Sequence, residues 1–338
     1  MTHIFPNSMA KLRDDRSDDS VDIVMRTKNR PALLGRALSS VVNQQHRQWN
    51  LYLINDGGDP APVDQLVATF ADELAGRVTV VHHPDSLGMA AAANRGMTLG
   101  TAAFVAAHDD DDSWDETYLA RCTGHLLAPE NRRFGGVLTK WNKIGEVFDG
   151  SHVELREALV DGYDGTVLDF LEVIRTPRIP PIALLWRRNV VNHIGFLNPH
   201  LPIYDDWDLI MRGLQIADIA LLPDALANYH LRITADAGDY ANTITEWQPI
   251  YHTYDILYRN GLLRALFDRD PTQLGLVVNL LKNAEHVRGQ VQSIQIASHR
   301  ELSGNDHHLD GRLTTLETEV RESRRLLEQL CAAVGQPA

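Results

Sequence analysis

The pattern of apolar and polar positions changes period again and again over the first hundred residues. VDIVMR, starting at Val21, is a short apolar run with β-branched side chains and predicts a buried strand. Pro31 then opens a segment in which Leu33, Leu34, Ala37, Leu38, Val41 and Val42 recur at helical spacing. WNLYLIND predicts a second strand, closed by the turn Gly57-Gly58-Asp59-Pro60. A helix over about 63–75, a strand RVTVVHH over 77–83, a small-residue helix in GMAAAANRGMTLG and a fourth strand, TAAFVAAH, follow. Strands alternating with helices predict a parallel sheet with helices on both faces, whose ligands bind beyond the carboxyl ends of the strands. Three polar clusters fall at those ends: Thr27 to Arg30, Asn55 to Asp59, and His108 to Asp112.

Further along, a helix runs from after Asp115 to about Leu127, and FGGVLTKWNKIGEVFDG (134–150) predicts strands around a turn. IALLWR reads as a strand and RRNVVNHIG as a helix. A loop carrying Tyr204, Asp205 and Asp206 leads into a helix, WDLIMRGLQIA, and both DIALLPD and LANYHLRI look extended. Residues 242–300 are mainly helical. Leu309, Leu313, Leu316, Val320, Ser323, Leu327, Leu330 and Val334 then alternate spacings of four and three, a heptad seam with one polar position. The expected organisation is a mobile arm (1–20), an α/β domain (21–240, with a boundary between halves near 112), a helical extension (241–304) and a coiled-coil helix (305–335) that pairs copies of the chain.

Composition narrows the class. The 338 residues are 44% hydrophobic and 23% charged, ordinary globular material, with a net charge of -13. An acidic chain repels nucleic-acid backbones, so no nucleic-acid partner is expected, although a metal ion can bridge carboxylates to a nucleotide. The two cysteines, Cys122 and Cys331, make neither a disulfide framework nor a zinc knuckle and suit a reducing cytoplasm. No run reaches the ~18 apolar residues of a membrane span, and the N-terminus lacks the apolar stretch of a secretory signal.

The sharpest chemical signal is HDDDDSW (108–114). Four adjacent carboxylates repel one another unless a cation or solvent relieves them. Alternate residues of an extended segment face one side, so Asp109 and Asp111 are expected to grip one Mn²⁺ or Mg²⁺ with Asp112 at the turn. A solvated acidic loop capping the next helix is the plainer alternative. Asp205 and Asp206 form a second acid pair, for which N-terminal helix capping is the ordinary explanation.

Taken together, VDIVMRTKNRPALLGRALSSVVNQ, NLYLINDGGD, DSLGMAAAANRG, FVAAHDDDDSW and GFLNPHLPIYDDWDLIMRG resemble, in this order and at these separations, the inverting glycosyltransferases of family 2. The resemblance covers about residues 21–235. It implies a GT-A fold, Rossmann-like, with a mixed, mainly parallel sheet flanked by helices. It implies a nucleotide-diphosphate sugar donor, a UDP-sugar first among them, and a hydroxyl acceptor on a glycan or lipid-linked glycan of the surface-polysaccharide kind. Catalysis would then be cytoplasmic, at the inner membrane face. By motif, Thr27, Asn29 and Arg30 line the nucleotide pocket and Asp56 contacts the base. Asn94 and Arg95 lie near the donor, with Ala93 where the family carries an arginine. Asp109 and Asp110 meet the nucleotide sugar. Asp109, Asp111 and Asp112 form the metal motif, with His230 as a further ligand and Arg232 as an alternative partner for the diphosphate. Asp206 is the general base, and Asp205 shapes the acceptor pocket. Two other readings compete. Asp109, Asp111 and Ser113 also satisfy the loose motif of haloacid dehalogenase-type phosphatases, with Asp109 as nucleophile. A non-enzymatic coiled-coil scaffold is the third.

Overall fold

The computed structural model describes residues 12, 18–74, 76–148, 153–232, 248–301, 317–322 and 325. Most of the arm (1–20) and the heptad seam, apart from Val320, lie outside the described residues. The chain divides into two units, Met1–Tyr251 and His252–Ala338.

The first unit is built on a nine-stranded sheet with the order β3-β2-β1-β4-β8-β6-β9-β5, and β7 pairs with β6. The apolar run from Val21 forms β1 (Val21–Thr27), whose residues are buried except for a half-exposed Arg26. It lies parallel to both β2 (Trp49–Asp56) and β4 (Phe104–Asp109), and β3 (Val78–His83) is parallel to β2. Helix α1 (Pro31–Val42) buries the leucines, alanine and valines that its spacing predicts. Helix α2 (Pro60–Thr69) is capped by Asp59, which accepts a hydrogen bond from Ala61 N. After the short α3 (Ala71–Leu74), α4 (Met89–Leu99) packs closely on the sheet through small residues. A Cβ on Gly96 would lie 2.6 Å from Val24 Cγ1.

The second half reverses direction. β5 (Ser113–Trp114) is antiparallel to β9 (Asp218–Arg232), and α5 (Tyr118–Leu127) precedes β6 (Phe134–Phe148). The segment 134–150 had predicted strands around a turn. Instead 134–148 is a single strand, because Gly145 marks a register shift against β7 (Val153–Asp161) rather than a reversal. β6 runs parallel to β9 and antiparallel to β8 (Leu184–Arg187), which joins the two halves through β4. DIALLPD and LANYHLRI also merge into one strand, β9. The small helices α6 (Phe170–Arg175) and α7 (Arg188–Ile194) precede α8 (Asp205–Leu214). Helix α8 begins at Asp205, so both acids belong to its first turn and Tyr204, at φ 66°, makes the sharp entry.

One buried ion pair ties the halves together at the amino end of β1. Arg188 donates to Asp22 Oδ2 at 2.6 Å, and Asp22 is fully buried. Asn50 and Ala102 N also donate to Asp22, so its burial is matched by hydrogen bonds.

The second unit consists of helices. α9 (Gln248–Arg269) crosses into it and α10 (Gln273–Glu301) follows. The connection is set by Asp270, whose Oδ1 accepts from Thr272 N and its hydroxyl at 3.0 and 2.6 Å. Among the described residues no helix is long and apolar enough to cross a membrane.

Candidate active site

The carboxyl ends of β1, β2 and β4 and the amino end of α8 bring together most of the residues singled out above. At β4 the chain leaves the strand after Asp109 and turns, with Asp112 N donating to Asp109 O. The turn overrides the alternation argument, and each aspartate meets a different partner. Asp109 Oδ1 lies 3.2 Å from Arg26 Nη2. Asp110 Oδ2 accepts the Thr27 hydroxyl at 2.7 Å, with Arg30 3.6 Å from its other oxygen. Asp111 Oδ2 accepts from Arg232 at 2.6 Å and lies 3.4 Å from Arg30. Asp112 Oδ1 accepts from His230 N at 2.9 Å.

Behind this turn lies a cluster in which sequence reasoning named His230 but missed Glu146 and Arg36. Glu146, on β6, is fully buried and receives Arg36 at 2.8 Å and His230 Nδ1 at 3.1 Å. Arg36 also donates to the Asp111 carbonyl. Burial alone would raise Glu146, yet hydrogen bonds from His230 and Arg36 hold it down at about 2. The pairing spans 110 residues, and nothing local in the sequence announces it.

Across the cleft, Asp205 and Asp206 occupy the first turn of α8. Arg26 joins the two acid groups, its Nη1 lying 3.9 Å from Asp205 Oδ2 while its Nη2 meets Asp109. Arg26 was also missed, although a charge at the end of the apolar run VDIVM was the available signal. Asp206 Oδ1 accepts from Trp207 N at 2.7 Å, which fixes the carboxylate. The Trp207 indole is buried and donates to Val173 O, so it anchors the helix. Burial and the adjacent Asp205 push Asp206 up to about 7. Burial, with Asp111 next, pushes Asp110 to about 7 as well, and Asp112 is raised well above its ordinary value by the same causes.

The nucleotide-side residues separate. Thr27 and Arg30 join the acids, as above. Asn29 adopts φ 56° and abuts Gly58, where a Cβ would stand 3.0 Å from Asn29 N and 2.6 Å from Asn55 Oδ1. Asp56 accepts four hydrogen bonds from its own chain: His83 and Leu87 N at one oxygen, Ser86 and Gly88 N at the other. It therefore clamps the loop before α4. Asn94 uses both ends of its amide on Leu197, donating to its carbonyl and accepting from its N–H. Arg95 is exposed on α4 and is not brought to the acids.

The expected metal set of Asp109, Asp111, Asp112 and His230 is not gathered. Among the described residues no three His, Cys, Asp or Glu side chains converge as ligands. His230 is turned into the sheet, with Nδ1 at Glu146 and Nε2 at Ser113 Oγ, 3.0 Å away. The chemistry nonetheless suits a divalent cation. Carboxylates (Asp109 to Asp112, Glu146, Asp205, Asp206) outnumber the guanidiniums of Arg26, Arg30, Arg36 and Arg232. The buried Oδ2 of Asp112 also lacks a hydrogen-bond partner. Asp109 and Asp111 are the acids at the cleft that would hold such an ion.

Residues 22–156 match the family described as Glycosyl transferase family 2, and the match includes β1, β2, the acid turn and Glu146. Over that stretch, about two fifths of its length, the chain is similar to glycosyltransferase family 2. The chain is 27% identical over 111 residues to the putative colanic acid biosynthesis glycosyl transferase WcaA of Escherichia coli, covering 32% of this chain and 39% of that one. It is 27% identical over 239 residues to the pre-mycofactocin glycosyltransferase of Mycobacterium tuberculosis, covering 68% and 45% respectively. The matched stretch thus spans less than half of either relative. The crystal structure of S. aureus TarS 1–349 in complex with UDP superposes with a TM-score of 0.51 at 16% identity, over 63% of this chain and 60% of that chain. The likeness places the first unit in the GT-A fold class, a mixed α/β sheet flanked by helices.

Proposed function

We propose that this chain transfers a sugar from a nucleotide-diphosphate donor, a UDP-sugar in the first instance, to a hydroxyl of a glycan or lipid-linked glycan, with inversion at the anomeric carbon. The observation that carries the reading is the cleft itself. Two groups of acids, at the ends of β4 and at the start of α8, face one another across Arg26. A single displacement needs leaving-group stabilisation on one side and a base on the other.

Asp206 is the base. Its elevated pKa, at about 7, makes its carboxylate a better proton acceptor than an ordinary aspartate. The acceptor oxygen bonds to the anomeric carbon, the bond from that carbon to the diphosphate breaks, and the hydroxyl proton passes to Asp206. Asp205 holds Arg26 and shapes the acceptor side. Thr27 and Arg30 bind on the diphosphate side, and Arg232 fixes Asp111. Mn²⁺ or Mg²⁺ held by Asp109 and Asp111 would supply Lewis-acid stabilisation of the departing diphosphate. The printed role of one relative in colanic acid biosynthesis supports a glycan-type acceptor. The family 2 match over residues 22–156 favours this reading over the phosphatase and scaffold alternatives. Pairing of copies through 305–335 remains part of the proposal.

Thermal unfolding with UDP, GDP, dTDP and CDP, each with and without Mn²⁺, tests the donor site. One diphosphate should raise the midpoint, and only with the metal. Asp206→Asn should keep that shift and lose turnover. Full turnover by Asp206→Asn would remove the base assignment.

A further inference from the structure

Beside the acid pair at the start of α8 stands an aromatic cluster that the transfer mechanism leaves unused. Tyr204 enters the helix at φ 66°. A bulky residue keeps that left-handed conformation only where its surroundings over-determine it. Here they do. The Tyr204 ring meets Trp207 edge-to-face at 5.4 Å between centroids, and the Trp207 indole is pinned to Val173 O. The same tyrosine ring meets Tyr251, in the first turn of α9, at 5.3 Å with the two planes 84° apart. Trp207 is buried, whereas Tyr204 and Tyr251 are half-buried and keep part of their surface in solvent. Tyr251 also feels the acid pair. Burial, and then the Asp206 charge, push its phenol up to about 12, so the ring brings no charge of its own to the base at neutral pH.

An acceptor hydroxyl has to come within hydrogen-bond reach of Asp206, so whatever carries it lies against the first turn of α8. A sugar ring has a polar rim and apolar C–H faces. Asp205, Asp206 and Arg26 can pair with the rim but offer nothing to a face. A half-exposed tyrosine offers a flat apolar body with a polar tip, which suits a face. It also gives up little conformational freedom on binding, having two side-chain torsions. Because Trp207 and the helix entry already fix Tyr204, the shelf is formed before an acceptor arrives. We propose that Tyr204 and Tyr251 form the acceptor subsite, with the Tyr251 ring carrying the C–H face of the sugar whose hydroxyl meets Asp206. The acceptor group is then a sugar ring rather than a ring-free alcohol. This inference rests on the transferase reading and deepens it.

The test is nucleoside diphosphate release by the full chain with Mn²⁺, from whichever of UDP-glucose, GDP-mannose and dTDP-glucose turns over. Release is followed in water alone, with glycerol, and with the methyl glycosides of glucose, galactose and mannose. A glycoside should accelerate release with a saturable KM, and glycerol, which has hydroxyls but no ring face, should not. Tyr251→Ala should raise the glycoside KM about 3- to 10-fold, and Tyr251→Phe, which keeps the ring, should hold it within about twofold of wild type. Tyr251→Leu, apolar and closer in size to tyrosine but without a ring, should behave as the alanine variant does. The donor KM should not follow the glycoside KM in any of the three. Equal acceleration by glycerol, acceleration by no glycoside, an unmoved glycoside KM in Tyr251→Ala or Tyr251→Leu, or a raised one in Tyr251→Phe overturns the proposal. A donor KM that rises in step overturns it too, since Tyr251 would then only support α8. The two levels separate cleanly. If no donor binds or turns over, the transferase reading fails and this inference with it. If a donor is hydrolysed while glycosides do no more than glycerol, only this inference fails.

Discussion

Changing the pH tests the role of Asp206 most directly. Burial and then the neighbouring Asp205 lift its carboxyl to about 7. With a midpoint there, about a tenth of the base is ionised at pH 6 and about nine tenths at pH 8, so kcat/KM for the donor should rise roughly tenfold between them. The assay is nucleoside diphosphate release from the donor, with water or a simple sugar as acceptor, at fixed Mn²⁺. Asp205→Asn removes the nearest like charge and should move the midpoint toward acid, raising activity at pH 6 relative to pH 8. Asp206→Asn should lower kcat by about 10²–10⁴-fold and flatten this limb. Stability carries the opposite sign from that of an ordinary ion-paired carboxylate. Asp206 holds its proton more tightly folded than unfolded, so its contribution is present at low pH and is lost as pH rises from about 4 to about 7. A flat rate profile between pH 6 and 8, or a midpoint unmoved in Asp205→Asn, would refute the reasoning.

Four further outcomes follow from the packing and charge. Asp22→Asn leaves the Arg188 guanidinium buried without its counter-charge and should cost about 3–5 kcal/mol in denaturant unfolding, while Asp22→Asn with Arg188→Met should recover much of it. Gly213→Ala should destabilise by about 1–3 kcal/mol in the same assay, since its Cβ would stand 2.4 Å from the Trp186 ring, a rigid neighbour. Arg26→Lys keeps the charge but loses the fork that reaches both Asp109 and Asp205, so kcat/KM should fall about 10- to 100-fold with little change in melting temperature. Glu146, held at about 2, stabilises the fold above pH 4.5 and loses that contribution as pH falls toward 2; acid-unfolding curves of Glu146→Gln should lack this limb, worth up to about 3 kcal/mol in wild type.

The parts of the fold readable from sequence are those where one local pattern decides. β1, β2 and β4 are mostly buried apolar runs, and α1 repeats its apolar residues at helical spacing, so the local pattern locates them. β7 went unread because VELREALVD alternates charges and helix-forming residues on an exposed edge. Leu155 and Leu159 are 65% and 67% exposed, so no burial signal reaches the sequence. The turn expected in 134–150 failed for a related reason. A glycine inside a strand pattern marks a bulge as readily as a reversal, and only pairing with β7 distinguishes them.

The site divides along the same line. Asp109 to Asp112, Asp205 and Asp206 stand out because runs of like charge at the ends of apolar segments need a reason. What the sequence withheld is their partners. Arg36 with Glu146, Arg26 with Asp205, and Arg232 with Asp111 are contacts made by the tertiary fold, across 110, 179 and 121 residues of chain. Those partners decide what each acid does. Asp111 is held by a guanidinium from β9, Asp112 by a backbone amide of the same strand, and His230 by Glu146 of the neighbouring strand β6. Four identical residues in a row thus acquire four environments, and only Asp109 shares its guanidinium with the opposite acid pair. The chemistry of this cleft is consequently set by its arginines as much as by its acids, which is why replacing Arg26 discriminates between a catalytic cleft and a merely solvated acidic loop. In a solvated loop, losing one exposed ion pair would change little. In a cleft where one guanidinium holds both acid groups in register, the same loss separates base from leaving-group side.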